Sequence, residues 1–276
     1  MNSKVSIIIA CYDDPDVVKA VDSAKNQTYP NKEIILVDDG SNEKTKKIIA
    51  KIEVNVDSLV TQKNCGQSIA RNNGIKKAQG KYILNLDSDD YFEPEFCEKA
   101  IRMFEADEEI KIVTCKARRF NKKRTIDIFT PRGGEIDSFI FHNSALGSSM
   151  FRKRDWESVG GYEEKLPILG FEDWEFYIQL LKTGGSAFVL PEVLFNYQVR
   201  ENSTTSRIKH LKQIKFQHII QKHQGLYQEN FPELINHLFD RIIKAEEEIN
   251  RRETSIDFKT GNRLLFPFRK LKSIFN

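Results

Sequence analysis

The feature that most constrains the fold of this chain is a repeated alternation of short apolar runs and helical patterns through its first half. The run Glu33–Val37 is apolar after its first residue, as expected for a strand covered on both faces, whereas Val17, Val21 and Ala24 recur at helical spacing. Strands of this kind, separated by helices, predict an α/β fold with a mostly parallel central sheet flanked by helices. No GxGxxG motif follows the first strand, so a dinucleotide-binding Rossmann domain is not expected. The predicted strands are 4–9, 33–37, 58–62, 81–87, 110–117 and 186–197.

The chain changes character after Ser206, where the alternation stops. Two helical stretches follow, split near Gly225 and Pro232. These changes predict three segments. They are an α/β domain over 1–205, a helical C-terminal extension over 206–255 and a basic amphipathic tail over 256–276.

The end of the predicted tail is basic and contains no acidic residue. Pro267 suits the first turn of a helix in which Phe268, Leu271 and Phe275 share one face. A short basic amphipathic helix of this kind is suited to an anionic membrane surface, so we expect peripheral membrane contact through residues 263–276. The alternative, a tail that packs on the protein's own helices or stays mobile, is left open.

Composition excludes several functional classes. The formal net charge of +3 argues against a dedicated nucleic-acid binder. No stretch approaches the ~20 apolar residues of a membrane span, and the apolar run at the N-terminus is too short for a signal peptide. The cysteines have neither C-x-x-C nor zinc-site spacing, which favours free thiols in a reducing compartment. We therefore expect a cytoplasmic protein with no nucleic-acid partner, in contact with the inner face of the membrane at most peripherally. The cysteines are Cys11, Cys65, Cys97 and Cys115.

The strongest chemical signal is the segment LDSDD, in which an apolar strand runs into Asp87, Asp89 and Asp90. Carboxylates this close repel one another and favour a bound cation. The carboxyl end of a parallel strand is also where open α/β sheets bind ligands. Asp87 and Asp89 are two residues apart, so they lean to the same side, and oxygen ligands of this type suit Mg²⁺ or Mn²⁺. The segment therefore predicts a metal site that could bridge the phosphates of a nucleotide.

The segment LDSDD has two other interpretations. One is a helix N-cap with surplus surface acid, which stays open. The other is an EF-hand loop, since Asp87, Asp89 and Glu98 occupy its first, third and last places. That loop requires glycine where Phe92 stands, and Pro94 follows, so we reject it.

Three further segments carry polar groups at the ends of predicted elements. ILVDDGS places Asp38 and Asp39 after a strand, although a simple turn or a receiver-type acidic site would look the same. Arg71 lies early in the helix after Gly66, a place where a bound anion is favoured. The alternative interpretation is an ordinary solvated arginine on an amphipathic helix. Glu172 and Asp173 open another helix, where acids are also common as partners of the helix dipole.

Taken together and in this order, these segments resemble those of the inverting family-2 glycosyltransferases with the GT-A fold. The resemblance covers roughly Val5 to Ser203. The opening VSIIIACYDD is similar to the family's first strand, with Ala10, Cys11 and Asp13 departing from it. VDDGS, the NCGQSIARNNG stretch, LDSDD and the late ED pair are similar to the family's other motifs.

The resemblance implies a role for each candidate residue. Asp39, with Asp38 beside it, would read the nucleotide base, and Arg71 would help to hold the nucleotide. Asp87 would lie by the ribose and phosphates and Asp89 would bind Mn²⁺ or Mg²⁺. The loop Gly160–Glu164 would shape the donor-sugar pocket. Finally, the resemblance implies Asp173 as the catalytic base, with Glu172 directed toward donor or acceptor.

One further departure from the family pattern bears on the metal site. Many relatives carry Y-R-x-H-x-x-S after the last strand, with a histidine that can reach the metal. Here Arg200 stands in the place of that histidine. Because arginine cannot ligate a cation but can pair with a diphosphate, we expect Arg200 to support the leaving group by charge. This leaves Asp89 as the main protein ligand of the metal.

The sequence thus predicts a metal-dependent inverting transferase that moves a sugar from a nucleotide-diphosphate sugar, with UDP favoured by the resemblance alone. The expected acceptor is a glycan or a lipid-linked precursor of a surface polysaccharide. Two rivals are a non-catalytic nucleotide-binding scaffold on the same fold and a sugar nucleotidyltransferase. The second would carry a glycine-rich basic loop after the first strand, whereas CYDDPD stands there.

Overall fold

The structure is a computed structural model that describes residues 3–167, 169–200 and 211–272. Internal contacts divide the chain into two compact units, Met1–Ile219 and Ile220–Asn276. The boundary predicted near residue 206 lies outside the described residues.

The first half of the larger unit forms a parallel sheet. Its strands lie in the order β3-β2-β1-β4, and β1 pairs in parallel with both β2 and β4. The carboxyl ends of all these strands therefore meet at one edge. The elements are β1 (Val5–Cys11), α1 (Val17–Lys25), β2 (Lys32–Asp38), α2 (Glu43–Ile52), β3 (Ser58–Thr61), α3 (Gln67–Lys77) and β4 (Tyr82–Asp87).

Beyond β4 the sheet becomes mixed. In the described part of the chain it continues in the order β4-β8-β6-β9-β5, with β7 paired to β6. β6 and β9 run parallel, whereas the β4–β8, β6–β8, β6–β7 and β5–β9 pairs are antiparallel. The predicted α/β fold is confirmed. The elements are β5 (Tyr91–Phe92), α4 (Phe96–Ala106), β6 (Ile110–Phe120), β7 (Thr125–Phe129), β8 (Met150–Arg152), α5 (Lys153–Ser158), α6 (Glu172–Leu181) and β9 (Ser186–Gln198).

The core lies on both faces of the sheet, as the apolar strands predict. On one face Val5, Ile7 and Ile9 of β1 join a fully buried cluster with helices α1 and α4. On the other face Ile8 meets α3 at Gly74, where an added Cβ would lie 2.6 Å from the Ile8 side chain. This close approach fixes α3, and with it the polar residues in its first turns, against the sheet.

The C-terminal part is helical, as the predicted appendage requires. Its helices break at His223 and Asn230, close to the predicted splits. None of the described helices combines the length and the apolar character needed to cross a bilayer. Phe275 of the predicted tail face lies outside the described residues. The elements are α7 (Lys212–Lys222), α8 (Gln224–Glu229), α9 (Phe231–Thr254) and α10 (Ile256–Lys272).

Candidate active site

Acidic side chains follow three neighbouring strands at the carboxyl edge of the sheet. Asp38 ends β2 and Asp39 follows it, Asp87 ends β4, and Asp14 and Asp16 follow β1. Since β1 lies between β2 and β4 in a parallel arrangement, the fold brings these acids to one edge.

Asp39 anchors the segment that leads into α3. Its carboxylate accepts hydrogen bonds from the Gln62 amide (2.7 Å) and from the backbone N–H groups of Cys65 and Gly66 (both 2.9 Å). Gly66 adopts a φ of +90°, which an L side chain rarely takes. Asp38 accepts from the Ser41 N–H at 2.9 Å and so closes the turn after β2. Both aspartates are buried, and in this structure their carboxylates hold the turn after β2 and the segment that leads into α3.

Arg71 joins two acids that are far apart in the sequence. Its guanidinium, 1 % exposed, donates to Asp87 Oδ1 at 2.7 Å and to Asp173 Oδ1. Gln67 also donates to Asp87 Oδ1, at 2.8 Å. Gln67 and Arg71 lie four residues apart on α3, so one helical face serves both contacts. The predicted donor site and the predicted base therefore share one buried cation.

Asp173 lies in the first turn of α6, with 22 % of its side chain exposed. Burial raises the pKa of its carboxyl to about 6; Asp87 and Glu172 add to the rise and Arg71 opposes it. Space beside it is tight, since a Cβ on Gly147 would lie 2.5 Å from Asp173 Oδ2. A partly exposed carboxylate with a pKa near neutrality is suited to accept a proton.

Glu172 is placed differently from its neighbour. It is buried, and both of its carboxylate oxygens accept from the Gly170 N–H, at 2.9 and 2.8 Å. In this structure the Glu172 side chain holds the turn that precedes α6.

Asp89 and Asp90, at the end of LDSDD, have separate environments. Asp90 is 1 % exposed and accepts from the Gln198 N–H at 2.7 Å, which fastens the end of β9 to this loop. Asp89 keeps 28 % of its side chain exposed. Burial, followed by the charge of Asp87, raises the pKa of the Asp89 carboxyl to about 6. Crowding of negative charge at partly exposed oxygens fits a hard divalent cation at Asp89 and Asp87. Among the described residues, no three His, Cys, Asp or Glu side chains are arranged to hold a metal ion by themselves.

Arg200 lies among three carboxylates. Its Nη2 is 3.0 and 3.1 Å from the two oxygens of Asp14 and 3.1 Å from Asp16 Oδ2, while its Nε is 3.2 Å from Asp89 Oδ2. Asp14 and Asp16 were not among the predicted site residues. The run of acids in CYDDPD directly after the first strand was the signal that could have identified them.

Asn72 anchors the loop that the resemblance assigns to the donor sugar. Its side-chain amide donates to the Tyr162 carbonyl (2.8 Å) and to Glu164 Oε1 (2.9 Å). Its oxygen accepts from Trp156 Nε1 and from the Tyr162 N–H. The Tyr162 ring lies 5.4 Å from the Arg71 guanidinium. The fold therefore places the Gly160–Glu164 loop beside Arg71.

Comparison with known proteins identifies relatives of this chain. The family model described as glycosyl transferase family 2 matches residues 6–158, and the model described as N-terminal domain of galactosyltransferase matches residues 139–214. A chondroitin synthase of Pasteurella multocida is 27 % identical over 262 residues, which cover 89 % of this chain and 27 % of that protein. A UDP-Glc:alpha-D-GlcNAc-diphosphoundecaprenol beta-1,3-glucosyltransferase of Escherichia coli is 48 % identical over 90 residues, covering 32 % of this chain and 36 % of that one. The chain thus spans between a quarter and two fifths of the length of these relatives.

Solved structures show the same fold. A mannosyltransferase of Pyrobaculum calidifontis, in complex with GDP-Man and Mn²⁺, aligns with 99 % of this chain and 84 % of its own, with a TM-score of 0.65 and 18 % identity. The larger unit therefore has the GT-A architecture that the motifs predicted.

Proposed function

Since this chain belongs to glycosyl transferase family 2, we propose that it is an inverting glycosyltransferase that moves a sugar from a nucleotide-diphosphate sugar to a glycan or lipid-linked acceptor. The observation that carries this proposal is the link Asp87–Arg71–Asp173. Buried Arg71 fixes Asp87, an acid of the proposed donor site, and Asp173, the proposed base, relative to each other. A single-displacement transfer requires donor and base to be held in a fixed arrangement of this kind.

In the proposed reaction the acceptor hydroxyl attacks the anomeric carbon from the side opposite the diphosphate. Asp173 accepts the hydroxyl proton as the new bond forms, and one displacement inverts the anomeric configuration. Arg71 holds Asp173 in place and, by its charge, favours the deprotonated carboxylate. Arg71 is therefore a positioning residue.

The proposed donor end lies on the other side of Arg71. Asp39 and Asp38 hold the base end of the pocket, Asp87 lies toward the ribose and phosphates, and the Gly160–Glu164 loop borders the sugar. A Mn²⁺ or Mg²⁺ ion held by Asp89 and Asp87 would offset the charge that develops on the diphosphate leaving group. The partly exposed, crowded carboxylates support this assignment.

The proposed donor is a UDP-sugar and the proposed product a bacterial-type surface polysaccharide. The Escherichia coli relative is named for UDP-Glc and a GlcNAc-diphosphoundecaprenol acceptor, and the Pasteurella relative is named a chondroitin synthase. A GDP-sugar is the alternative to test, because the mannosyltransferase structure holds GDP-Man.

A panel of nucleotide sugars tests the proposal. With Mn²⁺ present, the true donor should raise the melting temperature, since a ligand that binds only the folded state stabilises it. The same donor should be hydrolysed slowly when no acceptor is added. Stabilisation without any hydrolysis or transfer would favour the scaffold alternative, and exchange of pyrophosphate would favour the nucleotidyltransferase.

A further inference from the structure

Three carboxylates surround the guanidinium of Arg200, which we expected only to contact the leaving group. Its guanidinium touches Asp14, Asp16 and Asp89 at 3.0 to 3.2 Å, and Asp14 is itself buried. Three carboxylates this close are costly unless a cation lies between them, and here that cation is the guanidinium of Arg200.

The arginine uses the same carboxylate that the proposed metal would use. Arg200 Nε lies 3.2 Å from Asp89 Oδ2, and Asp89 is the proposed main ligand of the divalent ion. A guanidinium offers five N–H donors and no lone pair, so it competes for Asp89 and cannot ligate the ion beside it.

We propose that Arg200 is an internal counter-ion that occupies Asp89 in the donor-free protein and transfers to the diphosphate when donor and metal bind. This inference rests on the proposed metal site at Asp89. It predicts that free Mn²⁺ binds weakly, because Arg200 occupies Asp89 and offsets part of the negative charge around it. It also predicts that the metal enters together with the nucleotide, whose phosphates give Arg200 a new anionic partner.

The proposal predicts opposite effects of one substitution on two affinities. Arg200→Gln removes a unit charge about 3 to 4 Å from Asp89, so Mn²⁺ affinity without nucleotide should rise by at least about tenfold. The affinity for UDP in saturating Mn²⁺ should fall by a similar factor, because the diphosphate loses a charged donor. A purely structural role for Arg200 would lower both affinities together.

The experiment is a Mn²⁺ titration followed by the electron paramagnetic resonance signal of the free ion, with UDP binding measured by calorimetry on the same samples. Arg200→Lys keeps the charge and should stay close to wild type in Mn²⁺ affinity. Arg119→Gln is the matched control, since Arg119 pairs with Asp127 on the β6–β7 hairpin and touches none of the three acids.

Equal Mn²⁺ affinities of wild type and Arg200→Gln would overturn the inference while leaving the proposed function intact. Absence of Mn²⁺ binding to every variant, with and without UDP, would instead overturn the metal site on which the proposal rests.

A second measurement needs no variant, in case Arg200→Gln fails to fold. Phenylglyoxal modifies accessible arginines, and peptide mass spectrometry reports the extent at Arg200. Saturating Mn²⁺ alone should increase modification of Arg200 in the wild-type chain, and addition of UDP should then protect it. If Mn²⁺ leaves the modification of Arg200 unchanged, the proposed displacement of Arg200 from Asp89 is contradicted.

Discussion

At the scale of single residues, one buried charge organises the site. Arg71 gives up nearly all of its hydration, and its pairing with Asp87 and Asp173 offsets that cost. The pair Arg71 and Asp173 is separated by 102 residues in the chain. Sequence motifs identified each member, but a contact over that distance depends on the fold and could not be predicted from spacing.

Asp89→Asn tests the metal ligand. The protein should fold normally, because Asp89 is partly exposed, but metal-dependent donor binding should be lost. We expect a loss of about 10²-fold or more in transfer rate, about 3 kcal/mol of transition-state stabilisation. Calorimetric titration of donor with and without Mn²⁺ measures the effect. Donor affinity and turnover equal to wild type would remove Asp89 from the metal site.

The pH dependence of transfer tests the state of the base. A carboxyl whose pKa is raised to about 6 is charged above that pH and protonated below it. At saturating donor, acceptor and Mn²⁺, the transfer rate should be constant above about pH 7 and fall roughly tenfold per unit below about pH 6. Donor affinity must be measured over the same range, because burial also raises the pKa of Asp89 to about 6. A transfer rate that stays flat from pH 8 to about pH 5 would contradict a base with this pKa.

At the scale of elements, a strand that is buried on both faces leaves a clear apolar run in the sequence, whereas an exposed strand does not. Strands β1, β2 and β4 are covered on both faces and gave clear apolar runs. Strand β7 is not among the predicted strands, which stop at residue 117 and resume at residue 186. All five residues of β7 are exposed, so no buried face marks it, although Thr, Ile and Phe are typical of strands. The antiparallel pairings also escaped prediction, because they depend on short strands such as β8.

Gly147→Ala tests how the connection before β8 supports the base on α6. An added Cβ would lie 2.5 Å from Asp173 Oδ2 and should displace that carboxylate from Arg71. We expect the transfer rate to fall by about 10²-fold, as for other misplacements of about 1 Å, while donor affinity changes little. Gly225→Ala in α8 is the control, since nothing lies within 4 Å of a Cβ there, and it should behave as wild type. A Gly147→Ala enzyme with unchanged turnover would show that Asp173 need not hold this position.

At the scale of the whole molecule, we expect the tail predicted over residues 256–276 to contact a membrane surface. Leu264, Leu265 and Phe266 of α10 are 51 to 68 % exposed, which supports an apolar surface there. Basic residues near an anionic surface contribute about 1 kcal/mol each. Such a tail would bring the enzyme to a lipid-linked acceptor.

A truncated chain ending at Thr260 tests the tail. The chain of 276 residues should co-sediment with vesicles that contain anionic lipid and should be released by salt, whereas the truncated chain should stay in the supernatant. Vesicles of neutral lipid are the control. Equal sedimentation of both chains would exclude the tail as the membrane contact.

The central claim, that Asp173 is the base of a transfer reaction, is tested most directly by donor affinity and transfer rate measured side by side on Asp173→Asn. A general base contributes typically 10²- to 10⁴-fold, and it acts on the acceptor rather than on the donor. We therefore predict that donor and Mn²⁺ affinities stay within about threefold of wild type while transfer falls by that factor. Glu172→Gln is the matched control and should lose less turnover, since its carboxylate holds the Gly170 turn. Transfer by Asp173→Asn at a near-native rate would contradict the account and place the base elsewhere.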